Sequence, residues 1–114
     1  MPYFSLETNK KLTRGDFNLK VKLTSALIAE LLGKPEKYVL VSFKTGLSMR
    51  FGGAKGPVGF AELRSIGLDM TRCEEYSKKL CDFMEAEFEI PADRIYIDFQ
   101  NVDRKAFGWN GSTF

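Results

Sequence analysis

Directly behind Met1 stands Pro2, and position alone makes it the candidate base of this 114-residue chain. Removal of Met1, expected when a small residue follows it, would leave Pro2 with a free secondary amine. An α-amino group has a reference pKa of about 8, so modest burial or a neighbouring cation brings it toward neutral pH. The ordinary reading competes with this one, since a proline at the first residue of a strand sacrifices no needed hydrogen bond. Few other catalysts are available. The chain has no histidine, which excludes Ser-His-Asp and Cys-His nucleophiles and imidazole metal centres. Lys34, just before a proline at a helix end, reads by itself as a solvated cation favouring the helix dipole. Cys73 and Cys81 are eight residues apart in one predicted helix. That spacing puts them about 12 Å apart along its axis, too far for a mutual disulfide, so they read as reduced thiols. Gly52-Gly53-Ala54-Lys55-Gly56 has the look of a phosphate loop, but no Ser/Thr follows Lys55 and no helix begins there, so a turn is the better reading.

The elements that must position these residues follow from periodicity. Tyr3 to Thr8 alternates as a strand. Thr13-Arg14-Gly15-Asp16 resembles a capping box ahead of a helix. Phe17, Val21, Leu27, Ile28, Leu31 and Leu32 recur near 3.6 residues, Gly33 supplies the stop and Pro35 blocks continuation. Tyr38 to Lys44 is the next strand, and a short extended piece follows at Leu47 to Phe51. Val58 to Ile66 is a further strand. A second capping box, Thr71-x-x-Glu74, starts a helix with Cys73, Tyr76, Leu80, Phe83, Met84 and Phe88 on its apolar side, and Pro91 stops it. Arg94 to Phe99 is a strand, and Gly108 to Thr113 reads as a short terminal one.

The order is β-α-β followed by β-α-β, and the two units resemble each other at an offset of 56 residues. Pro35-Glu36-Lys37-Tyr38-Val39-Leu40-Val41-Ser42-Phe43 lies over Pro91-Ala92-Asp93-Arg94-Ile95-Tyr96-Ile97-Asp98-Phe99, sharing the proline, the alternating apolar positions and the last phenylalanine. The chain therefore reads as one α/β (α+β) domain over 1–114, made of two pseudo-repeats at about 2–57 and 58–114. Two such units predict a four-stranded mixed sheet with both helices on one face. So short a chain leaves nothing to cover the other face. Association with further copies, sheet facing inward, is the simplest solution, with the leftover strands added to neighbouring sheet edges.

Several motifs together carry a family resemblance: Pro2 after Met1, Gly33-Lys34-Pro35-x-x-Tyr38, Phe51-Gly52-Gly53, Ser65-Ile66-Gly67, Asp93-Arg94-Ile95-Tyr96-Ile97 and Gly108-Trp109-Asn110-Gly111-Ser112-Thr113-Phe114. In order and nearly in spacing, over the whole chain, they resemble the macrophage migration inhibitory factor family. The resemblance implies the tautomerase superfamily fold, a homotrimer and active sites between neighbouring subunits. It also implies a keto-enol tautomerase acting on aryl α-keto acids such as phenylpyruvate and on L-dopachrome-type substrates. Pro2 would be the base, and Lys34 would hold the substrate carboxylate while lowering the proline pKa. Ile66 would offer its backbone N–H. Tyr38, Tyr96, Phe107, Trp109 and Phe114 would wall an aromatic pocket, with Tyr96 arriving from the adjacent subunit. No cofactor or metal is implied.

The departures from the family pattern matter. Asp98 stands where vertebrate members have asparagine, and three readings stay open. An ionised carboxylate would repel an anionic substrate, burial beside aromatic rings would keep it protonated and able to donate, and an outward strand residue would simply meet solvent. The cysteine pair that vertebrate members use in thiol-disulfide chemistry falls on Val58 and Ala61, so that chemistry is not expected. Glu62-Leu63-Arg64 spells a chemokine tripeptide but lies within a predicted strand.

Charge and hydropathy bound the partners. Residues 1–57 carry ten Lys/Arg against four Asp/Glu, and residues 58–114 seven against eleven. Solvated helix faces of opposite sign explain this, and a net +2 makes no case for nucleic acid. No leader and no apolar run of membrane length is evident, so a cytoplasmic location without membrane insertion is expected. Without entry to the secretory route the Asn110-Gly111-Ser112 sequon has no use. The resemblance adds a second function class. It implies a cytokine-like protein that leaves the cell without a leader, engages an invariant-chain-type receptor and keeps a vestigial tautomerase site.

Overall fold

Side-chain alternation decides the sheet. In the computed structural model, which describes residues 1–114, Phe4, Leu6 and Thr8 of β1 (Tyr3–Thr8) are buried on one face. Tyr3, Ser5 and Glu7 turn to the other, as a two-residue period requires. The same alternation runs along β3 (Gly59–Ile66). The strand order is β2-β1-β3-β4, with β2 at Leu40–Lys44 and β4 at Ile95–Val102. β1 pairs parallel with β2 and antiparallel with β3, and β3 pairs parallel with β4. Each parallel pair is joined by a crossover helix, α1 (Arg14–Leu32) or α2 (Cys73–Phe88). The expected four-stranded mixed sheet is thus present.

Both helices lie on the apolar face. Ile28 and Leu31 of α1 and Tyr76, Leu80, Met84 and Phe88 of α2 close a core over Phe4, Leu6, Ala61 and Leu63. Two polar residues join it because their hydroxyls find carbonyls. Thr8 Oγ1 donates to Val58 O at 2.7 Å and Thr24 Oγ1 donates to Lys20 O at 2.7 Å. The other sheet face is polar. Ser5, Glu7, Ser42, Lys44, Glu62 and Arg64 surround a shallow cavity of 210 Å³ there. Around that polar centre the same face carries Tyr3, Leu40, Phe60, Ile66, Tyr96 and Val102 by register. Apolar exposure sits instead at the margins, where Leu40 is 62% exposed, Tyr96 66% and Trp109 52%.

Local signals held at α1 and shifted at α2. Thr13 caps α1 by accepting the Asp16 N–H at 3.2 Å. At the other end Gly33 turns left-handed with φ 63°, its N–H reaching Glu30 O and the Lys34 N–H reaching Ala29 O at 3.0 Å. The second capping box does not form. Asp69 takes that place, accepting the Thr71 N–H at 3.0 Å and the Thr71 hydroxyl at 2.6 Å. A carboxylate is the stronger acceptor, so Thr71 becomes a donor, and a 3₁₀ turn at Met70–Arg72 precedes α2. Pro35 and Pro91, the matched residues of the two units, do the same local work. Each is followed by a 3₁₀ turn, Glu36–Tyr38 and Ala92–Arg94, so β2 starts later than Tyr38.

Two expected strands are corrected. Leu47 to Phe51 forms none; Phe51 and Ala54 bridge across Gly52 (φ 59°) and Gly53 (φ 78°), a tight turn that also removes the phosphate-loop reading. Gly108 to Thr113 is not one strand but a hairpin, β5 (Gly108–Trp109) against β6 (Ser112–Thr113). Its turn residues Asn110 (φ 53°) and Gly111 (φ 76°) are the pair such a turn favours.

A Cβ at position 33 would have to enter the left-handed region, so Gly33→Ala is expected to cost about 1–2 kcal/mol in urea unfolding. Leu80→Ala, which empties a fully buried site, is expected to cost about 2–5 kcal/mol by the same measurement.

Candidate functional site

The cavity at the amino end of β1 is built by three separate stretches of chain. Pro2 sits one residue before β1, with its ring buried and its carbonyl accepting the Leu40 N–H at 3.0 Å. The 3₁₀ turn after Pro35 brings Tyr38 alongside. The terminal hairpin brings Phe107, Trp109 and Phe114, and together these residues line a cavity of about 330 Å³. Trp109 and Phe114 stack at 5.4 Å with 11° between their planes, while Tyr38 meets both edge-on at 5.6 and 6.0 Å. Such offset and edge contacts are the favourable ones for aromatic rings. The last residue is tied down twice, by its N–H to Phe107 O at 3.2 Å and by Arg104 Nε donating to its carbonyl at 2.9 Å.

Five of the nine residues expected at the site therefore line one cavity: Pro2, Tyr38, Phe107, Trp109 and Phe114. Lys34 does not line it; this residue follows the α1 cap and borders a separate, smaller 150 Å³ cavity with Ser65, Gly67, Asp69 and Arg72. Its charge still reaches the terminus. With Met1 in place the free amine is that of Met1, and its pKa is held below the ordinary 8.0, first by burial and then by the Lys34 ammonium. In this state the Pro2 nitrogen is an amide without basicity. Ile66 ends β3 two residues beyond Arg64, the partner of Tyr3, and so lies level with the chain's first residue.

Tyr96 and Asp98 lie elsewhere. Tyr96 pairs in register with Phe60 and Phe60 with Glu7, about 16 Å along the strand direction from Pro2 and two strands away. There Tyr96 packs edge-on against Phe51 at 5.1 Å, and Arg94 lies over the same Phe51 ring. In one copy of the chain Asp98 is exposed and accepts from Gln100 Nε2 at 2.9 Å. One copy of the chain does not bring these two to the cavity. The two cysteines are free, and burial first of all raises both thiols. Sequence reasoning missed Arg104, Lys37 and Leu40. Arg104 gave no pattern to read, whereas Asn110-Gly111 was a legible hairpin signal that would have placed Trp109 against Phe114.

Two β-α-β units in one four-stranded mixed sheet of order β2-β1-β3-β4, with both helices on one face, make the tautomerase superfamily fold. The comparisons agree over the full length. The family model described as macrophage migration inhibitory factor matches residues 1–114. A homolog from Trichinella spiralis is 41% identical, with all of both chains covered, and the factor of Xenopus tropicalis is 36% identical over all of this chain and 99% of its own. The crystal structure of a homologue from Prochlorococcus marinus superposes with a TM-score of 0.91 at 42% identity, covering 98% of each chain. The chain belongs to the macrophage migration inhibitory factor family.

The position of Lys34 gives a titration test. In Met1-bearing protein the terminal amine is expected to titrate below 8.0. Lys34→Ala is expected to raise that value only part-way, because burial is the larger cause, as read by NMR of the labelled terminus. Since folding disfavours the ammonium form, this contribution to stability is complete above 8.0 and is lost as pH falls through the depressed value. Lys34→Ala should flatten that dependence.

Proposed function

We propose that the chain, once Met1 is removed, is a keto-enol tautomerase of aryl α-keto acids such as phenylpyruvate and of L-dopachrome-type substrates. The observation that carries this reading is the buried Pro2 at an aromatic cavity within reach of the Lys34 charge. The Pro2 amine takes a proton from the carbon next to the substrate carbonyl, the electron pair moves to the carbonyl oxygen, and protonation there gives the enol. The reverse direction returns the proton to carbon. A base for this step needs a pKa near the working pH, which burial and Lys34 favour. Lys34 holds the carboxylate, the Ile66 N–H steadies the substrate, and the aromatic walls exclude water.

The remaining site residues require a second copy. A homotrimer would bury the exposed Leu40, Tyr96 and Trp109 at the margins of the sheet and carry Tyr96, with Asp98, to a neighbour's cavity. The second reading, a leaderless secreted cytokine that engages an invariant-chain-type receptor, rests on family membership alone. No helix is long and apolar enough to cross a membrane.

Retention of Met1 tests the base directly. A Met1-bearing sample, verified by mass, is expected to lose the general-base contribution of about 10²–10⁴ in phenylpyruvate turnover. Pro2→Gly, which keeps a mobile primary amine, should lose less. Full turnover by Met1-bearing protein would overturn the assignment. The processed protein should also sediment at three times its 12.9 kDa chain mass.

A further inference from the structure

The offset of 56 residues that relates the two strand entrances also lays Phe51-Gly52 over Phe107-Gly108, and Arg94 and Tyr96 over Tyr38 and Leu40. Phe107, Tyr38 and Leu40 line the aromatic cavity. Their counterparts form a cluster of their own, in which Phe51 meets the Tyr96 ring edge-on at 5.1 Å and the Arg94 guanidinium lies 5.6 Å from the centre of the Phe51 ring. Backbone carbonyls hold Arg94 in turn. Its Nε donates to Pro57 O at 2.7 Å, and its Nη2 to Ala54 O at 3.3 Å and Gly56 O at 3.4 Å. Asn9 Nδ2, at the end of β1, donates to the same Gly56 carbonyl at 2.8 Å. The backbone of Phe51 is fixed as well, because it exchanges N–H to carbonyl bonds of 3.0 and 3.2 Å with Ala54. A chain of held groups thus runs from the sheet through Arg94 and Phe51 to Tyr96.

Tyr96 needs such support, since it stands 66% exposed on β4, an edge strand of the sheet. A ring free to change rotamer would lose that freedom on entering a neighbour's cavity, and the loss would weaken substrate binding. We propose that Phe51 and Arg94 are positioning residues of the tautomerase site, acting through Tyr96, whose ring they hold ready to meet substrate in the cavity of a neighbouring copy. The inference rests on the tautomerase reading and on the trimer that carries Tyr96 to that cavity. Phe51 supplies the contact, and Arg94 fixes Phe51 with a flat guanidinium that also reaches three carbonyls. The point charge of a lysine cannot do both. Neither residue lines the cavity of its own chain, so neither touches the Pro2 nitrogen.

The test measures phenylpyruvate turnover by processed wild-type protein, Phe51→Leu, Arg94→Lys and Tyr96→Ala, and by each of the first two combined with Tyr96→Ala. Sedimentation checks the assembly of every variant. Phe51→Leu and Arg94→Lys are each expected to raise KM about three- to tenfold, the size of one lost aromatic contact, and to leave kcat within about twofold. In the Tyr96→Ala background neither should add a further loss. Losses that add, an unchanged KM, or a trimer that dissociates in Phe51→Leu would each overturn the inference. Fluorotyrosine at position 96 gives a readout that needs no turnover. Its fluorine resonance is expected to lie away from the unfolded position in wild-type protein and to move back toward it in Phe51→Leu and Arg94→Lys, and an unmoved resonance would overturn the inference as well. Wild-type protein that binds but does not turn over phenylpyruvate would remove the tautomerase reading, and the fluorine spectrum would still decide whether Phe51 and Arg94 hold Tyr96.

Discussion

The structure depends on β1 being the inner strand that joins the two halves. β2 flanks it on one side and β3 on the other, so the first residues of the chain are held among neighbours instead of fraying into solvent. The bond from the Leu40 N–H to the Pro2 carbonyl extends that ladder by one residue past the strand. Proline suits this place because its missing N–H falls where the ladder ends. Everything proposed about the terminal amine follows from this restraint, since an unrestrained terminus would be solvated and would keep an ordinary pKa.

Around that anchor the cavity is assembled from parts with no sequence proximity. Tyr38 comes from the turn between α1 and β2, and the other rings come from the last eight residues. The hairpin is short, and two partners, the Phe107 carbonyl and the Arg104 side chain, hold its end. Charge is distributed with similar economy. The α1 cap fixes the backbone of Lys34, and Tyr38 receives the ammonium of Lys37. The family to which the chain belongs fits this plan.

Much of the fold was legible. The duplicated proline-led segments predicted matching strand entrances, and both turned out to begin with a 3₁₀ turn. The α1 cap and stop were readable because Thr13 and Gly33 act on backbone groups within a few residues. Where acceptors compete, local reading failed. Thr71 looked like a cap until the stronger acceptor Asp69, two residues earlier, claimed its N–H and hydroxyl. Gly52-Gly53 was legible as a turn, but Leu47 to Phe51 before it was read as an extended piece and the Asn110-Gly111 hairpin as one strand. The positive backbone angles those residues allow carry more information than the apolar residues around them.

The sequence by itself determined the order of elements, the apolar face of each helix and the alternation of each strand, because these depend on neighbours within about one turn or one pleat. It also marked Pro2, Lys34 and the aromatic tail as chemically unusual. Only the tertiary structure decided that Tyr38, Phe107, Trp109 and Phe114 share one cavity with Pro2 while Tyr96, level with Glu7, and Asp98, level with Ser5, lie on β4 two strands away. That separation is a matter of strand order and register together, and strand order is decided by pairing between segments far apart in the chain.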